Sequence, residues 1–116
     1  MISFTGEYQG SLVLTFPTEV AERVVALFIG AEVTADDDDF ADAVGELANM
    51  VSGNAKAGFE GKTVSISCPS VIIGTGHAVR QPSDMPIVII PCDCECGSFA
   101  IEVSLRAAPA LAAKSA

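Results

Sequence analysis

Residues 38–58 read DDFADAVGELANMVSGNAKAG. It opens on acidic residues, runs for several turns without proline, and closes on Gly58. Those are the start and stop signals of a helix. On a wheel of about 100° per residue, Phe40, Val44, Leu47, Val51, Ala55 and Gly58 gather on one side, which is the expected core face. Asp42, Glu46, Asn49, Gly53 and Lys56 gather on the other, with Gly45 beside them.

That second face is poorly chosen for a helix with no task. Ala, Glu, Lys and Arg would fill it best, yet it carries Asn49 and, with Gly45, two glycines. Each glycine costs about 1 kcal/mol relative to Ala. Local choices that oppose the global structure are expected at functional sites. Glycines also admit another body at close range. Glu46 and Asn49, at i and i+3, are neighbours on that surface. Spacing alone leaves the plain alternative open, since exposed Glu and Asn at i, i+3 occur on ordinary helices.

On the N-terminal side, Glu7–Phe16 reads as a strand rich in β-formers, with Gly10 as a bulge or turn. Pro17-Thr18-Glu19 opens a first helix, in which Val20, Val24, Leu27 and Phe28 are expected to share a face, and Gly30 caps it. A polar linker, residues 31–38, follows. Its aspartates 36–39 read as capping and dipole-favouring residues before the next helix. The alternating oxygen ligands of an EF-hand are missing from the run.

On the C-terminal side, Thr63–Ser67 alternates as a strand, and Val71–Gly74 reads as another short one. Pro86–Cys94 and Ser98–Leu105 flank a turn near Glu95-Cys96-Gly97, a hairpin. Residues 107–116 are Ala-rich and read as a flexible tail. No internal repeat or interdomain linker is visible. The expected fold is α+β, one domain over residues 1–106 with helices packed on a mainly antiparallel sheet.

The chain has 116 residues, half of them hydrophobic, enough for one core. A formal charge of −9 argues against nucleic acid and anionic membranes, whose binders show a basic footprint. Met1–Phe4 lacks the features of a secretory signal. The apolar runs at 71–73 and 87–90 fall far short of the roughly 20 residues that span a bilayer. Four cysteines with no export signal suggest free thiols in the cytoplasm.

Cys92, Cys94 and Cys96 would share one face of an extended strand, and with Cys68 or His77 they suggest zinc. The extended spacing is too wide for one ion, so small hydrophobes or partly exposed thiols are the better reading. His77, after Gly74-Thr75-Gly76, reads as a turn residue. No P-loop lysine follows it.

The stretch Asp42–Lys56 resembles the signature helix of the CheC/CheX/FliY phosphatase family: an Asp or Ser, then Glu, then Asn, and a later Pro. Asp42, Glu46, Asn49 and Pro69 fill it. Gly6–Phe16 resembles the family's strand before its first helix, and Ile89–Leu105 its closing hairpin. The first helix has no Glu-x-x-Asn, so the likeness is to the CheX-type branch. Members of that branch usually begin with a further helix and strand, after which this chain starts. The interval to Pro69 is slightly short, which implies a trimmed loop near Gly61.

The resemblance implies a CheC-like fold and a cytoplasmic phosphatase acting on the aspartyl-phosphate of a phosphorylated CheY-type receiver. Asn49 would hold the attacking water, since an amide both donates and accepts hydrogen bonds. Glu46 would pair with the receiver's active-site Lys. Asp42, Gly45, Gly53 and Lys56 would meet the partner. No metal or cofactor of its own is implied, and Mg2+ is expected on the receiver. A homodimer through sheet edges is also implied. The alternatives are a non-catalytic adaptor using the same helix, and a thiol or zinc sensor at Cys92–Cys96.

Overall fold

The chain begins with an alternation, Ile2-Ser3-Phe4-Thr5, that ends at Gly6. In the computed structural model, which describes residues 1–59, 61–74 and 85–108, this alternation is a strand. β1 (Ile2–Gly6) turns at Gly6, where φ is 112°, into β2 (Tyr8–Thr15). Then come α1 (Thr18–Ile29), α2 (Asp38–Ala57), β3 (Val64–Ile66), β4 (Ile87–Cys94) and β5 (Gly97–Ala107). The sheet has the order β3-β1-β2-β5-β4 and every pairing is antiparallel. This is the expected α+β architecture.

Gly10 is neither bulge nor turn. The register of β2 against β5 passes through it without a slip, from Tyr8↔Ala107 to Thr15↔Ala100. A Cβ at Gly10 would stand 1.7 Å from the carbonyl oxygen of Ser104, at a φ of 154°. The glycine therefore lets the β5 backbone approach. Proline in β4 fits its place: the strand lies at the sheet edge, where the missing N–H costs no central ladder bond.

The core has two centres. Phe4, Leu12 and Val64 of the sheet pack with Val51 and Phe59 from α2 and its exit. Ala21 and Val25 of α1 meet Phe40 and Ala43 of α2. Both expected helix faces are corrected here. In α1 the buried residues are Val20, Ala21 and Val25, while Leu27 is 73 % exposed and Phe28 is also exposed. In α2 the buried residues are Phe40, Ala43, Gly45, Ala48 and Ser52; Val44, Leu47 and Val51 are half-buried, and Ala55 and Gly58 are exposed. The buried stripe has turned toward small residues because α2 is pressed closely by α1, the sheet and the chain at 69–71.

Helix ends follow the sequence in part. Gly30 is left-handed (φ 84°) and its N–H bonds the Ala26 carbonyl. Asp38 and Asp39 occupy the first turn of α2. Asp37, at the N-cap, turns its carboxylate back to accept the Thr34 N–H at 2.9 Å, so it caps the linker rather than the helix.

Residues 71–74 form no strand. The chain leaving β3 instead stays tied to β1. Ser67 N–H donates to the Ser3 carbonyl at 3.0 Å, the Ser3 N–H donates to Ser67 Oγ at 2.9 Å, and the Ser70 N–H donates to the Met1 carbonyl at 2.9 Å. This tether carries Pro69 and Val71 across α2. β5 continues to Ala107, and the Ala108 N–H bonds the Glu7 carbonyl at 2.8 Å, so the sheet extends into the first residues expected to be tail. The rest of that tail and the turn at His77 lie outside the described residues.

Candidate functional site

Asp42, Glu46 and Asn49 stand in line along one side of α2, the first two exposed and Asn49 half-buried. Helical periodicity makes them neighbours. Pro69 and Val71 rise opposite them. Between helix and tether lies a groove of about 320 Å³, lined by Ala41, Asp42, Gly45, Glu46, Asn49, Pro69 and Val71. Its rim is acidic and amide-bearing, and its floor is aliphatic.

Gly45 is not part of an exposed surface, contrary to the sequence reading. It is buried, and a Cβ there would meet Pro69 Cγ at 3.3 Å and Val71 Cγ2 at 3.6 Å. Its role is to let the tether reach the helix. Gly53, by contrast, is exposed, with none of the described residues within 4 Å of where a Cβ would stand. Lys56 is exposed on the same side, near the helix end, where a cation favours the dipole.

Among the described residues, the side chains of Glu46 and Asn49 meet no hydrogen-bonding or charged partner. An exposed carboxylate without a partner is ordinary. An amide held half-buried in a groove beside it leaves both a donor and an acceptor free to bind. The backbone of this turn is held from behind. The hydroxyl of Ser52, itself fully buried, donates to the Ala48 carbonyl at 2.7 Å and lies 3.3 Å from the Asn49 carbonyl.

Sequence reasoning missed Val71 as a groove wall and Met50 as an exposed apolar residue flanking Asn49. No local signal marked Val71, because its place depends on the tether to β1. Met50 was visible as an apolar residue at the border of the polar face.

The three cysteines do not all share a strand face. Cys92 and Cys94 belong to β4, but Cys96 is in the turn and buried, with its carbonyl accepting from the Arg23 guanidinium at 3.0 Å. Burial, and then the neighbouring Cys94, push the Cys96 thiol above its ordinary value. All four cysteines are free thiols. Among the described residues, no three His, Cys, Asp or Glu side chains group to hold a metal ion, and no helix is long and apolar enough to cross a membrane.

A two-helix layer on an antiparallel sheet, with Glu and Asn of one helix facing a groove, defines the class to which known proteins can be compared. The family model described as chemotaxis phosphatase CheX matches residues 1–93, and the chain belongs to that family. It is 38 % identical over 84 residues to the CheY-P phosphatase CheX of Thermotoga maritima, an alignment covering 70 % of this chain and 54 % of that protein. The chain thus spans about half the length of that curated relative. The crystal structure of a chemotaxis protein CheX from Desulfovibrio desulfuricans superposes with a TM-score of 0.81 at 36 % identity, over 90 % of this chain and 71 % of that one. A CheX-CheY-BeF3-Mg2+ complex from Borrelia burgdorferi shares the fold, with a TM-score of 0.77 at 19 % identity over 90 % of this chain and 73 % of that one.

Proposed function

We propose that the chain is a phosphatase that hydrolyses the aspartyl-phosphate of a CheY-type receiver, with Asn49 and Glu46 at the reacting centre. The observation that carries this reading is their placement: a carboxylate and an amide on one groove, unpartnered among the described residues. The name of the Thermotoga relative, CheY-P phosphatase, supports the activity. The Borrelia complex supports a receiver as the partner and Mg2+ as the partner's metal.

Hydrolysis attaches water oxygen to phosphorus and breaks the bond from phosphorus to the aspartyl oxygen, releasing phosphate and a free carboxylate. Such a reaction depends mainly on positioning and charge stabilisation, and the metal on the receiver would supply part of the latter. Asn49 orients the water in line with the breaking bond. An amide has no useful basicity, so it takes no proton. Glu46 pairs with the receiver's active-site Lys, an ion pair strengthened as the interface loses water. Asp42, one turn before it, adds negative charge to the same docking edge. Gly53 and Lys56 lie where the partner passes over the helix.

The reading includes a cytoplasmic homodimer paired through the β4 edge. Val88 and Ile89 on that strand are 57 % and 59 % exposed although they point to opposite faces. An open apolar edge of this kind is a template for another strand.

The test is phosphate loss from a phosphorylated, Mg2+-loaded CheY-type receiver with wild type and Asn49→Ala. Wild type accelerates the loss by at least about 100-fold, within the range that orientation of a reactant can supply. Asn49→Ala binds the receiver and leaves its lifetime unchanged. Binding by wild type without acceleration would establish the adaptor reading instead.

A further inference from the structure

We propose that Gly45, Pro69 and Val71 are positioning residues, and that their contact sets where α2 presents Glu46 and Asn49. The inference rests on the phosphatase reading. It starts from a place where the helix touches the tether. A Cβ at Gly45 would lie 3.3 Å from Pro69 Cγ, 3.8 Å from Pro69 Cβ and 3.6 Å from Val71 Cγ2. Gly45 precedes Glu46 directly and lies one turn below Asn49, so a push at this point reaches both.

The two sides of the contact are not equally free to yield. The tether is held to β1 through Ser67 and Ser70, and proline adds a ring with a fixed φ. α2 meets the sheet through the half-buried Val51 and α1 through the buried Phe40 and Ala43, and its Ser52 hydroxyl holds the carbonyls behind Asn49, so the turn moves as a unit. A methyl group added at Gly45 would therefore displace the helix by a few tenths of an ångström and widen the groove. The residue is helical and its replacement by Ala suits helix propensity. Activity and stability are thus expected to part company, which a merely structural role would not produce.

The experiment compares wild type, Gly45→Ala, Pro69→Ala and the double variant for receiver dephosphorylation and thermal unfolding. Displacement of about 1 Å can cost about 100-fold in rate, so a few tenths should lower kcat about five-fold in Gly45→Ala. KM stays within about two-fold, and the melting temperature does not fall. Pro69→Ala, which removes the stop, lowers kcat similarly, and the double variant recovers most of the Gly45→Ala loss because the methyl has room. A Gly45→Ala kcat equal to wild type, or deficits that multiply in the double variant, overturns the proposal. NMR of the Asn49 side-chain amide separates the two readings. If wild type is inactive, the phosphatase reading fails, while an amide signal that shifts in Gly45→Ala and returns in the double variant still upholds the positioning; an unmoved signal overturns it.

Discussion

Gly53→Ala places one methyl group on the outer face of α2, four residues beyond Asn49. The position is helical, exposed, and has no heavy atom within 4 Å of a built Cβ. None of the described residues opposes the change. Ala is favoured over Gly in a helix interior by about 0.8–1 kcal/mol, partly because the unfolded chain loses freedom. The site is near the last turn, so the gain should be somewhat less, about 0.5–1 kcal/mol. For a chain of this size that corresponds to a rise in melting temperature of about 2–5 °C. Urea unfolding should show a higher midpoint with an unchanged slope, since the surface exposed on unfolding is the same. The second half of the experiment is dephosphorylation kinetics. If the receiver passes close over Gly53, the methyl raises KM several-fold and leaves kcat alone, because the chemistry at Asn49 is untouched. A variant that is no more stable than wild type would refute the open, helical environment at this position. A stabilised variant with an unchanged KM would remove Gly53 from the partner surface.

Gly10→Ala is the opposite case: its Cβ would stand 1.7 Å from a backbone oxygen in the neighbouring strand. Pairing of β2 with β5 must break or shift, at a cost of about 4 kcal/mol or more, and soluble yield together with urea unfolding should show a severely destabilised chain. At the sheet edge, Ile89→Lys puts a charge in the middle of the exposed apolar strand β4. Sedimentation should show wild type as a dimer and the variant as a monomer that retains its fold; a variant that stays dimeric would place the interface elsewhere.

Most of the architecture was legible because the elements carry strong local signals. α2 begins in its aspartates and ends at Gly58, and the β4–β5 hairpin turns at Glu95-Cys96, both as read from residue types. β1 was overlooked although Ile2-Ser3-Phe4-Thr5 alternates, because five residues give too short a run to stand out without the partner strands. Residues 71–74 misled for the converse reason. Val71-Ile72-Ile73 has strand composition, but β-propensity reflects a pleated, packed surface more than the backbone itself, and among the described residues this segment pairs with no strand. The helix faces erred in a consistent direction. A hydrophobic wheel weights Leu, Val and Phe, whereas Ala21, Ala43, Ala48 and Ser52 are buried by close approach, a property of the neighbours.

That same bias explains why one of the reasons for the candidate site was wrong. Gly45 and Gly53 looked alike as helix breakers on one surface, and both pointed to Glu46 and Asn49. The structure divides them. Gly53 leaves space open toward solvent; Gly45 gives its space to Pro69 and Val71. One glycine therefore leaves the outer face of the helix open and the other lets the groove acquire its second wall. A sequence records that a side chain is missing, and only the packing tells whether the vacancy serves a partner or the protein's own backbone. In α2 one vacancy faces solvent and the other faces the tether, eight residues apart, with Asn49 midway between them.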